Sequence, residues 1–430
     1  MNVLLLGNNA ATHALALKIF DSSLEDRLVC APGNGGTGMF TFNAPFNHTA
    51  ESDVIRFVYT ESIDLLICDE AAVIAGLGEP HLIGRDMTVG AGRAIAPVLT
   101  SRAAFAAWTS QQQLPTLKSR AFTNAEESAR YAAGQPLPLR VCDDSWETTA
   151  QVCHERADAY AAIQQIDGRT LVIEEVVTGP VVVVQWLMDD DTLLPLPPVR
   201  VYPLEDQGGN LLEGAHITAT AQWDQLVTRL NATICAPVAA ALRKMGVFMR
   251  SWVCAECVVT AHGPLLTRLA VTPPPLVAAT TLLRMASDVL PLLIATAENR
   301  LKDAPAPTWR TASSVAVLLR TPVPSQGLLI EGLDDLDGSV RVYHQQTFSR
   351  EQLIFNPPPK QKPSILRQIT KPLAARAPIL PLLASTGPQI LVVASAANAL
   401  FSARVWAYDA LETIRVVGTT YRRDIGAAEI

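Results

Sequence analysis

Few side chains in this 430-residue chain have the type and spacing that chemistry needs. Cys254-x-x-Cys257 has the spacing of a redox or zinc pair. It lies inside an apolar, strand-like run, and no second Cys or His pair stands at ligand spacing. Residues i and i+3 of a strand face opposite sides, so the spacing predicts core thiols rather than a site. Ala31-Pro32-Gly33-Asn34-Gly35-Gly36 follows a short apolar run. Its backbone N–H groups could cradle an anion, or the stretch could be an ordinary turn. Asp206-Gln207-Gly208-Gly209-Asn210, continuing to Gly214, reads as a turn built on Asp and Gly. Arg268 is the one charge in the apolar run Leu265–Val271. Gly7-Asn8-Asn9 is not a G-x-G-x-x-G fingerprint and does not support dinucleotide binding.

The elements around these residues follow from periodicity. Val3–Leu6, Leu28–Cys30 and Leu65–Cys68 read as buried strands, alternating with helical patterns over His13–Phe20 and Ser52–Thr60. Such alternation predicts βαβ units and a parallel sheet, with ligand loops after the strands' C-terminal ends. Trp252–Thr260 and Leu265–Val271 are apolar runs joined at Ala261-His262-Gly263-Pro264, the pattern of a hairpin buried on both faces. Pro273-Pro274-Pro275 must end its ladder, because proline donates no backbone hydrogen bond. Val181–Val184 and Ser313–Leu319 read as strands, Leu276–Ala297 as mainly helical with a break at Pro291, and Ala397–Leu411 and Ile414–Val417 as a closing helix and strand. Residues 356–373, rich in proline and lysine, read as an exposed basic loop, either an interaction surface or a solvated one.

Composition narrows the classes. The length calls for two to four domains. With 49% apolar and 17% charged residues the chain is globular and not disordered. A net charge of −7 without a basic stripe argues against a nucleic-acid partner. No apolar run of membrane-spanning length and no basic leader is visible, and seven scattered cysteines fit reduced thiols, so a cytoplasmic protein without membrane contact is expected.

Several motifs then carry a resemblance. Gly7-Asn8-Asn9-Ala10-Ala11-Thr12-His13-Ala14-Leu15-Ala16, Ala31-Pro32-Gly33-Asn34-Gly35-Gly36-Thr37, Ile63–Gly76 and the terminal Tyr421-Arg422-Arg423-Asp424-Ile425-Gly426 occur in the order of the glycinamide ribonucleotide synthetase (phosphoribosylamine–glycine ligase) family. The chain resembles a divergent member of that ATP-grasp family along its whole length. The resemblance implies an α/β fold: a biotin-carboxylase-like N-terminal parallel α/β domain (1–102), an ATP-grasp α+β core (103–325) with a lid-like subdomain near 118–177, and a small β-rich C-terminal domain (326–430). It also implies the family reaction, in which ATP, 5-phosphoribosylamine and glycine give glycinamide ribonucleotide in purine biosynthesis, with ATP and Mg as cofactors.

The same resemblance assigns positions and exposes substitutions. Nucleotide-binding candidates are Arg102, in place of a family Lys, Arg140, in place of the flap Lys, and the hinge residues Glu174, Glu175 and Val177. Substrate candidates are Gly33, Asn34, Asp206, Gly208 and Asn210, and the resemblance makes Asp206 with Arg200 the best candidates for a polar pocket. The glycine-rich flap is replaced by a run containing Asp143, Asp144 and Glu147, which would set like charges against phosphates. Aligned without a gap, the family's magnesium ligands Glu and Asn fall on Arg268 and Ala270, and its substrate Arg falls on Thr272. A guanidinium has no lone pair for a metal, so no Mg is expected there, and pairing of Arg268 with Glu256 across the hairpin would replace it structurally. Two functions follow: an impaired ligase or pseudoenzyme that acts by binding or assembly, or an active carboxylate–amine ligase with an altered site. The partners implied are a nucleotide or phosphoribosyl ligand and a protein partner or second copy of the chain.

Overall fold

The computed structural model describes residues 1–79, 87–146, 148, 150–166, 168–204, 211–218, 220–349 and 383–427. Among them, one sheet of thirteen strands forms the backbone of the molecule. Its first part is parallel: Phe42–Asn43, Arg27–Pro32, Asn2–Gly7, Leu65–Ile67 and Thr88–Ala91 lie side by side in that order. These runs are apolar at nearly every position because helices cover both faces of a parallel sheet. The helix Ala10–Phe20 starts where the Asn9 side chain accepts the Thr12 N–H at 3.0 Å, so the second asparagine after Gly7 is a cap.

Thr88–Ala91 hands the sheet on to Met249–Thr260 through an antiparallel register of Met249 with Ala91. Beyond it run Val181–Met188, Leu193–Pro203, Leu212–Ile217, Ser313–Arg320, Gln389–Ala397 and Val340–His344, all antiparallel. Gly263–Ala270 folds back on Met249–Thr260 as the expected hairpin. Its two cysteines face opposite ways. Cys254 packs with Trp252, Leu276 and Leu282, whereas Cys257 packs with Val253, Leu266 and Trp186. All seven thiols are free and buried. Burial holds both hairpin thiols well above the usual thiol range, so neither is poised for redox or metal chemistry.

A separate antiparallel sheet, Ser119–Phe122, Leu171–Glu175, Leu139–Asp143 and Gln151–Cys153, carries the helices Ala125–Ala133 and Arg156–Gln165 and its own small core.

Two local expectations are corrected. The helical stretch after the triple proline is two helices, Pro275–Arg284 and Leu290–Ala297, and the break precedes Pro291. Pro291 sits in the first turn of the second helix, where its missing N–H costs nothing. Ile414–Val417 is not a strand: only Arg415 makes a bridge, with Glu331. The preceding helix begins at Leu400, because the strand runs on through Ala397. The basic stretch 356–373 lies outside the described residues.

Candidate functional site

A cleft of about 1300 Å³ opens between the four-stranded sheet and the large one. Each wall comes from a different part of the chain. The four-stranded sheet supplies Arg140, Asp143 and Glu174, and the hinge after it supplies Val176, Val177, Thr178 and Gly179. Leu193–Pro203 supplies Arg200 and Tyr202, the hairpin supplies Glu256, Val258, Thr267 and Arg268, and the C-terminal motif supplies Arg422. The hinge meets the hairpin closely: Gly179 has φ +157°, and a Cβ there would overlap the Val259 carbonyl oxygen. Glycine is required at that approach.

At the centre, Glu174 is a buried carboxylate between two arginines, 3.5 Å from Arg140 and 3.9 Å from Arg102. Arg140 is its register partner on the four-stranded sheet. Arg102, which is 2% exposed, opens the helix Arg102–Gln111 outside that sheet. Arg102 also lies 4.2 Å over the Trp146 ring, whose other near cation is Arg268 at 5.7 Å.

The hairpin presents its polar residues by means of an irregularity. Glu256 pairs in register with Arg268, but Cys257 pairs with Leu266, so Thr267 is an extra residue on that strand. Such a bulge re-aims neighbouring side chains, and it brings Thr267 and Arg268 together at Glu256. The Thr267 hydroxyl donates to the Glu256 carboxylate at 2.9 Å. Burial pushes the Glu256 carboxyl above the usual range, and Arg268, then Thr267, pull it back. The expected partnership of Glu256 and Arg268 is thus met in register and in electrostatic coupling.

The acidic run divides: Asp144 is not part of the cleft lining. Asp144 accepts the Ser101 hydroxyl and the Ala103 N–H, both at 2.8 Å, and so caps the helix that carries Arg102. Asp143 lines the cleft, but Arg169 meets it at 3.0 Å, and it also accepts from Ser145 and Thr148. Glu147 lies outside the described residues.

At the far wall the Tyr202 ring has Arg200 at 5.4 Å and Arg422 at 5.2 Å. The Tyr202 hydroxyl meets His216 Nδ1 at 3.1 Å and accepts the Gly426 N–H at 2.9 Å. Burial, then Arg200, lowers His216 to about 4. The C-terminal motif is therefore bolted to the cleft: Ile425 fills the space where Gly214 lacks a Cβ.

The candidate residues are not all in one place. Arg102, Arg140, Glu174, Val177, Arg200 and Arg268 line the cleft. Glu175 accepts the Lys118 N–H at 2.9 Å. Ala270 packs against the core, and Thr272 lines a small apolar pocket near Asn9 and Asp69. Gly33 takes φ +68° beside Asn43. Buried Asn34 accepts the N–H groups of Gly36 and Thr37 and donates to the carbonyls of Asn8, Asn9 and His344, the last at 2.8 Å. It joins the first strands to the C-terminal region. Asp206, Gly208 and Asn210 lie outside the described residues. Sequence reasoning missed Trp146, Tyr202 and Arg422 as cleft residues. The terminal motif was the signal for Arg422; nothing local marks Trp146.

A large open sheet thus faces a four-stranded antiparallel sheet across a cleft. Known proteins share this fold. Residues 1–94 match the model of the phosphoribosylglycinamide synthetase N domain. A phosphoribosylamine–glycine ligase from Rhodopirellula baltica is 24% identical over 99% of this chain and 97% of its own length. Another, from Phenylobacterium zucineum, is 28% identical over 81% of this chain and 86% of its own. The crystal structure of the Thermotoga maritima phosphoribosylamine–glycine ligase superposes with a TM-score of 0.74 at 16% identity, covering 99% of this chain and 100% of that one. Biotin carboxylase from Campylobacter jejuni shares the fold with a TM-score of 0.67 at 13% identity, over 99% and 94% of the two chains. Over nearly its whole length the chain is similar to phosphoribosylamine–glycine ligases, and it shares their fold. Among the described residues no helix is long and apolar enough to cross a membrane.

Proposed function

We propose that the chain keeps the nucleotide cleft of its family but not an effective ligase centre, and acts by binding. The relatives' names supply the family reaction, the ATP-dependent joining of phosphoribosylamine and glycine. The cleft suits an adenine nucleotide. Val176, Val177 and Val258 offer an apolar wall, and Arg102 and Arg140 stand where phosphates would follow. Magnesium fits poorly. It takes oxygen ligands in near-octahedral geometry, usually carboxylates and phosphates. Glu256 is the hairpin's one carboxylate here, and it faces Arg268 in register.

The observation that carries the reading is Arg268 opposite Glu256, a cation built in where family members carry a metal ligand. Phosphoryl transfer depends on charge neutralisation and positioning by the metal, so ligation should be suppressed. The division into an N-terminal region to 102, a core to 325 with a lid near 118–177, and a C-terminal region from 326 belongs to the same proposal, with the lid closing on the ligand. An active ligase with altered chemistry is the second reading, favoured by the intact cleft and the near full-length likeness to named ligases. The test is ADP release from ATP and Mg with 5-phosphoribosylamine and glycine. No release above a protein-free control is expected, and amine-dependent turnover would overturn the proposal.

A further inference from the structure

We propose that the cleft binds the phosphates of a nucleotide without a divalent cation, the Arg268 guanidinium supplying the positive charge. The inference rests on the reading of the cleft as a nucleotide site and adds how the charge is met. Among the described residues the lining holds six arginines and three carboxylates. The carboxylates are engaged: Glu174 with Arg102 and Arg140, Asp143 with Arg169, and Glu256 with Thr267 and its register partner Arg268. Arg422 is held by Asp424 at 2.6 Å, outside the lining, so the surplus is Arg200 and the second arginine at Glu174; it is still positive, which suits a polyphosphate better than a metal ion.

Donor chemistry points the same way. Buried Trp146 Nε1, Arg140 Nε and Arg200 Nε line this cleft and have no hydrogen-bond partner in the protein. All three are donors only, and buried donors are normally matched. A phosphate oxygen accepts from such groups, whereas a hydrated cation offers them nothing. Arg268 is also held in place. The bulge at Thr267 aims it into the cleft, and the Trp146 ring lies 5.7 Å from it and 4.2 Å from Arg102. A fixed guanidinium needs no loading, so nucleotide affinity should be independent of magnesium.

Calorimetry on the full chain tests this with ATP in excess EDTA and again in excess Mg. Binding in EDTA, within about threefold of that in Mg, is the expected result. Binding that appears only with Mg would overturn the inference and leave the nucleotide reading standing; binding in neither would overturn both. Arg268→Glu should weaken ATP binding in EDTA at least tenfold and make it respond to Mg, while Arg268→Lys keeps most of the affinity. Adenosine should bind at least tenfold more weakly than ATP to the unaltered chain. Equal affinity of adenosine and ATP, or an Arg268→Glu variant that is folded by circular dichroism and binds ATP normally in EDTA, would refute the role given to this residue.

Discussion

Removing the charge of Glu174 should loosen the four-stranded sheet, because that carboxylate ties it to another part of the molecule. Arg140 belongs to the four-stranded sheet and Arg102 to a helix outside it, and Glu174 stands 3.5 and 3.9 Å from them. At an effective dielectric near 20, each contact has a gross attraction of about 4–5 kcal/mol. Desolvation offsets much of that in the native protein. Glu174→Gln keeps the shape but deletes the compensation, while Arg102 stays 2% exposed. Breaking a buried pair from one side costs about 3–5 kcal/mol, and the lower end applies because Gln still accepts and Arg102 still stacks on Trp146. A chain with several cores will not unfold in two states, so the assay is amide hydrogen exchange in 139–143 and 171–175. A loss of about 3 kcal/mol speeds opening by roughly 150-fold there, with little change in the parallel sheet. Replacing Arg102 by Met in the same chain should restore part of the protection, since the uncompensated charge goes with it. A change below about threefold in Glu174→Gln would refute the reasoning.

Acid should destabilise the native state through three buried histidines. Burial lowers His216 and His344 to about 4, and burial with His344 nearby lowers His13 well below its usual value. Their folded values lie below the unfolded value near 6.5, so the unfolded chain binds more protons. The stability they contribute is full above about pH 6.5 and falls by up to about 1.4 kcal/mol per histidine per unit as pH drops toward 4. Glu70 and Glu256, raised by burial, act in the opposite sense over their own range. Thermal melts from pH 7.5 to 4.5 should show a falling Tm, less steep in His344→Gln, and a flat or rising Tm would count against this. Asn34→Ala should cost about 2–5 kcal/mol, because the buried N–H groups of Gly36 and Thr37 lose their acceptor. A variant of unchanged melting temperature with impaired ligand binding would instead make Asn34 a ligand residue.

Local pattern was enough for much of the fold. The strands at Val3–Leu6 and Leu28–Cys30, the helix after Asn9 and the hairpin around Gly263 are legible because apolar period and turn chemistry act over a few residues. The inert nature of Cys254 and Cys257 followed from strand parity alone. Parity and period could not say where Asp144 points: its carboxylate is spent on a helix cap contributed by Ser101 and Ala103, more than forty positions away along the chain. They could not separate a ligand-facing Asn34 from one holding His344, because that choice depends on strands brought together from opposite ends of the chain.

The sequence by itself determined the resemblance to the synthetases and the hairpin, since each is a matter of residue identity and order. Only the tertiary structure decided that Arg268 shares the Trp146 ring with Arg102, that Glu174 joins the four-stranded sheet to the helix Arg102–Gln111, and that Arg422 returns to the cleft beside Arg200. Those juxtapositions are made by a bulge, a second sheet and a docked C-terminal motif. Their energies come from burial and from distances of a few ångströms between residues far apart in order, which a linear pattern does not contain.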